Sequence, residues 1–191
     1  KCLVMTDGFK DSNYLQIINE LCPGLKDSRP GELDNPMLPF LEYIIYTGLE
    51  KQPGMYNFKD LYTMADEVAD EEYLEIYNSL DPHDVINMQY TSGTTGFPKG
   101  VMLSHYNIVN NGKCIGDGMK FTENDRLCIP VPFFHCFGLV LGILASLTHA
   151  TSMVCVDYNP VRVMESLQKY ECTAVHGVPT MFIAMLEHPD F

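Results

Sequence analysis

From residue 85 onward, short apolar and β-branched runs alternate with helix-opening signals, and no other feature constrains the fold of this chain as strongly. Residues 85–91 read as a strand, followed by a Gly-rich loop. A helix is expected after Ser104, whose hydroxyl can cap the free amides of a first turn. Residues 126–131 read as a strand, 136–147 as an apolar helix and 151–156 as another strand. Asn159-Pro160 sets a capping side chain ahead of a proline at the first helical position, and Pro179 opens a last helix after a short buried strand at 173–176. Such alternation needs crossover connections, which build largely parallel sheets flanked by helices. The fold class is α/β.

The first third is less legible. Residues 1–5 and 43–46 read as strands and 15–21 as a helix, with a Pro-, Gly- and Asp-rich loop at 23–39. Residues 60–80 read as one helix carrying Ala69, Tyr73, Ile76 and Leu80 on a face, and its acids, from Asp66 to Glu75, as a solvated face. At 191 residues, 46% hydrophobic and 19% charged, the chain has ordinary globular composition. It opens on Lys1 with no leader pattern, so it is expected to be cut from a longer protein. Its longest apolar stretch, 137–147, is shorter than the about 20 residues a membrane span needs.

Twelve basic residues stand against 25 acidic ones, a formal charge of −13, and the three arginines (Arg29, Arg126, Arg162) form no cluster. A nucleic-acid partner is not expected. An anionic ligand must be held by local geometry rather than by the global field. The seven cysteines show no Cys-x-x-Cys pair and lie mostly in apolar runs, so they read as small buried hydrophobes of a reducing, cytoplasmic protein. The six histidines lack metal-ligand spacing.

The chemistry concentrates in Tyr90-Thr91-Ser92-Gly93-Thr94-Thr95-Gly96-Phe97-Pro98-Lys99-Gly100. Glycines let backbone amides approach a ligand, Thr91, Ser92, Thr94 and Thr95 add hydroxyls that can turn toward phosphate oxygens, and Lys99 adds a positive charge. Amides, hydroxyls and one ammonium at a strand's carboxyl end make a polyphosphate cradle. The Gly-x-x-x-x-Gly-Lys-Ser/Thr loop is absent, since Lys99 follows Pro98, and so is a Rossmann Gly-x-Gly-x-x-Gly.

This loop resembles the signature of the adenylate-forming superfamily, and the likeness continues through Val101-Met102-Leu103-Ser104-His105. Pro132-Phe133-Phe134-His135-Cys136-Phe137-Gly138-Leu139 is similar to that family's aromatic-His motif, and His176-Gly177-Val178-Pro179-Thr180-Met181 to the pocket-lining turn of its fatty acyl-CoA synthetases. The resemblance implies the middle of the large N-terminal domain, with a subdomain junction near 116–124. It implies a two-step ligase: a carboxylic acid attacks ATP to give acyl-AMP and pyrophosphate, and coenzyme A then displaces AMP. A carboxylate is already a nucleophile at neutral pH, so no general base is needed; alignment and charge neutralisation must supply the rate.

By the same resemblance Thr91, Ser92, Gly93, Thr94, Thr95 and Gly96 grip the β- and γ-phosphates, Thr94 and Lys99 act in catalysis, and magnesium (Mg2+) bridges phosphate oxygens with Thr94 as a contact. His135, Phe137, Gly177, Val178 and Met181 line the acid's site, and a fatty or medium-chain acid is the implied substrate. On the residues alone His135, among Phe133, Phe134 and Phe137, reads more readily as a buried core histidine. Gly138, Gly142 and Ser146, spaced by four, make a bare helix stripe suited to close packing or to an acyl chain.

The family's Tyr-Gly-x-Thr-Glu and Thr-Gly-Asp elements and its C-terminal lysine are absent, so the chain alone is expected to be inactive, and uncovered sheet edges suggest self-association. Aryl-CoA ligases, amino-acid-activating domains and a noncatalytic nucleotide- or acyl-binding module remain alternatives.

Overall fold

A computed structural model of the chain describes residues 1–92 and 96–191. The backbone divides into two compact units, Lys1–Ser79 and Leu80–Phe191. Residues 116–124 lie inside the second unit.

In the first unit β1 (Cys2–Met5) is followed by a small antiparallel hairpin of β2 (Gly8–Phe9) and β3 (Ser12–Asn13) and by α1 (Tyr14–Leu21). Asn13 caps α1 by accepting from the Gln16 amide at 2.9 Å. β4 (Tyr43–Tyr46) and β5 (Tyr56–Asn57) join β1 in a parallel sheet of order β1-β4-β5. Met5, Ile18, Cys22, Leu25, Ile44, Tyr46 and Met55 form its core, with Ile44 and Tyr46 buried.

The single helix expected at 60–80 is two: α2 (Asp60–Ala65) and α3 (Asp70–Ser79). The second start puts Asp70, Glu71 and Glu72 in a first turn, where the helix dipole favours acids. Tyr73, Ile76 and Leu80, expected on one face, are all exposed.

The second unit begins with an antiparallel ribbon, β6 (Val85–Thr91) against β7 (Lys99–Ser104). The sequence does not mark β7, because a run of only three apolar residues follows Gly100. α4 (His105–Met119) starts at once, with the expected cap: Ser104 Oγ accepts from the Asn107 amide at 3.2 Å, and the Ser104 amide donates back to Asn107 Oδ1 at 3.1 Å.

A parallel sheet follows, with β8 (Arg126–Ile129) central, β9 (Ser152–Cys155) on one side and β10 (Ala174–Val175) on the other. Between β8 and β9 the expected apolar helix appears as a wide-turned π-helix, Phe137–Leu144, running into α5 (Ala145–Thr148). α6 (Pro160–Lys169) connects β9 to β10, and α7 (Pro179–Leu186) follows. Residues of β8 alternate between two cores. Leu127 and Ile129 pack with Phe121, Val131 and Ala145 on one face, while Cys128 packs with Val163 and Met185 on the other. Helices thus cover both faces of the central strand.

Cys22 and Cys128 are buried, as expected, but Cys2, Cys114, Cys136 and Cys155 are exposed, against that expectation. Local apolar flanks do not guarantee burial when a strand has one open face. No described helix is long and apolar enough to cross a membrane.

Candidate functional site

Two places in the second unit bring the sequence-identified residues together. The first is the mouth of the β6–β7 ribbon. Strand pairing sets Thr91 directly opposite Lys99, so both side chains leave the same face of the ribbon at the point where the loop departs. Tyr90 stands opposite Gly100, on the other face. Ser92 and Lys99 are exposed, and Gly96 has φ +97° with open space around its α-carbon. That backbone conformation is one a side chain resists, so glycine there keeps the turn tight and its amide reachable. Gly93, Thr94 and Thr95 lie outside the described residues. Among the described residues no group of three or more His, Cys, Asp or Glu could hold a metal ion. A magnesium ion carried on nucleotide phosphates needs only one or two protein oxygens, which a hydroxyl loop can offer.

The second place is the carboxyl end of the parallel sheet. β8 leads to β9 on one side, and the chain then crosses to β10 on the other, so the strand order reverses at β8. In open α/β sheets a ligand crevice forms at that reversal, beyond the carboxyl ends of the strands. The segment after β8 carries His135 and then Phe137, the first residue of the π-helix, and the turn after β10 carries Gly177 and Val178 ahead of Met181 on α7.

His135 is exposed, which removes the core-histidine reading. Its Nδ1 accepts the Phe137 amide at 3.1 Å, and Cys136 Sγ lies 3.7 Å away. The accepted bond places the ring proton on Nε2, which leaves that nitrogen as the donor. Phe137 and Met181 pack on the same core, beside Phe121 and Leu127. Gly177 meets the Phe182 ring, since a Cβ there would come within 3.1 Å of it. Val178 occupies the N-cap position of α7, with no side-chain cap bond, and is exposed.

The bare helix stripe is packed rather than open. A Cβ on Gly138 would fall on the Pro132 carbonyl oxygen and 2.7 Å from its carbon, and one on Gly142 would approach Ile129 Cγ2 at 3.1 Å. Ser146 is fully buried. The stripe therefore seats the π-helix on the exit of β8.

His176 lies beside these residues, although the sequence marks it for no role. It is buried, its ring lies 5.3 Å from that of Phe137, and burial holds its pKa below the ordinary 6.5. Nothing in its local sequence distinguishes it; only the pairing of β10 with β8 brings it against Phe137.

A family model described as AMP-binding enzyme matches residues 42–191. The YngI protein of Bacillus subtilis, named as an acyl-CoA synthetase, is 50% identical over 190 residues, covering 99% of this chain and 35% of that protein. The mitochondrial medium-chain acyl-CoA ligase ACSF2 of Danio rerio is 38% identical over 186 residues, covering 95% of the chain and 30% of the relative. The chain thus spans about a third of the length of these relatives. Among solved structures, the anthranilate CoA ligase AuaEII in complex with anthranoyl-AMP superposes with a TM-score of 0.70 at 21% identity, over 100% of this chain and 33% of that one. That likeness bears out the α/β architecture.

Proposed function

We propose, for a chain that belongs to the AMP-binding enzyme family, that it supplies the phosphate-gripping part of the large domain of an ATP-dependent acyl-CoA synthetase. The observation that carries this reading is the β6–β7 ribbon mouth, where Thr91 and Lys99 face each other across a glycine- and hydroxyl-rich turn. Acyl-CoA synthetase and ligase names among the relatives support the reaction class.

In this reading Thr91, Ser92, Thr94, Thr95 and the amides around Gly93 and Gly96 hold the β- and γ-phosphates, and the Lys99 ammonium neutralises charge as pyrophosphate departs. Magnesium arriving with the nucleotide would be held through the Thr94 hydroxyl and would supply charge neutralisation for the phosphates. The acid lies at the carboxyl end of the parallel sheet. His135 Nε2–H donates toward its carboxylate, and Phe137, Gly177, Val178 and Met181 surround an apolar tail of the fatty or medium-chain kind. The carboxylate oxygen bonds to the α-phosphorus as the bond to pyrophosphate breaks; the coenzyme A thiol then takes the acyl group, releasing AMP.

Adenine, ribose and small-domain contacts fall to parts of the protein beyond these residues, so the piece alone is inactive and its open sheet edges favour self-association. A cytoplasmic site fits the free cysteines, while the ACSF2 relatives carry a mitochondrial name.

The test is ATP–pyrophosphate exchange by the full-length protein. Thr94→Ala and Lys99→Ala each lower the exchange rate by about a hundredfold, the scale for one preorganised electrostatic donor. Wild-type exchange in both variants would remove the loop from the chemistry.

A further inference from the structure

The carboxyl end of the sheet contains a polar atom that the reaction above leaves unused. His176 follows β10 directly, and its amide donates to the Cys128 carbonyl at 3.1 Å, which fixes it beside the end of β8. The residue is 7% exposed. Its imidazole lies against Phe137, 5.3 Å between ring centres, and Gly177 and Val178 follow it in the chain. It therefore stands among the residues assigned to the acyl tail.

The ring's protonation pattern follows from its neighbours. Nε2 is 3.4 Å from Met119 Sδ. A thioether sulfur has no hydrogen to give, so a hydrogen bond there requires the proton on Nε2. Nδ1 is then a bare lone pair, and it is buried with no hydrogen-bond partner among the described residues. Charging the ring by protonating Nδ1 is opposed by burial, which lowers its pKa. An unpaired buried acceptor bears its whole desolvation penalty, and a group that donates to it recovers that penalty.

We infer that His176 Nδ1 is the polar recognition atom of the acyl site, and that the acid taken there carries a hydrogen-bond donor, most simply a hydroxyl, on an otherwise apolar tail. The inference rests on the acid-activating function proposed above. Phe137, Val178 and Met181 give apolar walls that any hydrocarbon satisfies; only a tail with a donor also satisfies Nδ1. A pocket group left unpaired by the wrong substrate discriminates far more strongly than a methylene of fit.

The test is ATP–pyrophosphate exchange by the full-length protein with an alkanoic acid and the positional series of hydroxyalkanoic acids of the same length. One hydroxy isomer is expected to exceed the parent acid in kcat/KM by about tenfold or more, the scale of one buried hydrogen bond. His176→Phe abolishes or reverses that preference while the KM for ATP stays put. His176→Asn, which keeps a side-chain acceptor, retains part of the preference and so separates lost recognition from lost folding. The inference is overturned if no hydroxy isomer surpasses the alkanoate, or if the preference survives in His176→Phe. Absence of exchange with every acid would overturn the proposed function itself, and this inference with it.

Discussion

Replacing Gly138 by alanine tests how the π-helix is seated. The added Cβ would fall on the Pro132 carbonyl oxygen, 2.7 Å from its carbon and 3.0 Å from the Val131 oxygen. These are backbone atoms at the exit of the central strand, not the free end of a flexible side chain, so the helix must lift or the turn must move. Overpacking of this kind costs about 1–3 kcal/mol, and the upper half of that range is expected because no side chain can rotate away. For a 191-residue chain about 1 kcal/mol moves Tm by about 2–4 °C, so a fall of about 4–12 °C follows. Gly118→Ala is the control: nothing lies within 4 Å of its added Cβ on α4. It should be neutral or stabilise by up to about 1 kcal/mol, as alanine does over glycine in a helix. Thermal unfolding of both variants reads the difference. If Gly138→Ala melts with the wild type, the close seating of the helix on residues 131–132 is wrong.

Three further expectations follow from the fold. Ser104→Ala removes one half of the capping box on α4 and should cost about 1 kcal/mol, read by urea unfolding; an unchanged midpoint would mean the cap bonds contribute nothing. Burial lowers the His176 pKa in the folded state, so its contribution to stability is complete above the ordinary value of 6.5 and is lost as pH falls from there through the folded value. His176→Phe should flatten that part of the stability–pH curve, and an unaltered curve would mean the ring is not desolvated. Under native conditions a maleimide should label Cys2, Cys114, Cys136 and Cys155, while Cys22 and Cys128, the latter pushed up to about 11 by burial, react only on unfolding. Rapid native labelling of Cys128 would contradict the two-faced packing of β8.

Sequence periodicity and capping chemistry revealed the second unit well. Ser104, Asn159 and Pro179 mark helix starts because their roles are local: a hydroxyl, an amide oxygen or a fixed φ acts within three residues. Hydrophobic spacing continues across 60–80 and so does not mark the α2–α3 break. β7 was hidden because its partner and its register, not its composition, make it a strand. At the candidate site the loop stands out by its composition, and His135 by its motif. The partnership of His176 with Phe137 was not, since it depends on β10 pairing beside β8 across a long stretch of chain. Nor could residue identity show that Gly138 and Gly142 bear on the end of β8 rather than face an acyl chain.

A crystal structure of the full-length protein with a nonhydrolysable ATP analogue examines the phosphate cradle directly. The β- and γ-phosphate oxygens should lie about 3 Å from backbone amides and hydroxyls of residues 91–96 and from Lys99 Nζ. Terminal phosphates bound elsewhere, with residues 91–99 turned to bulk water, would contradict the account at its root.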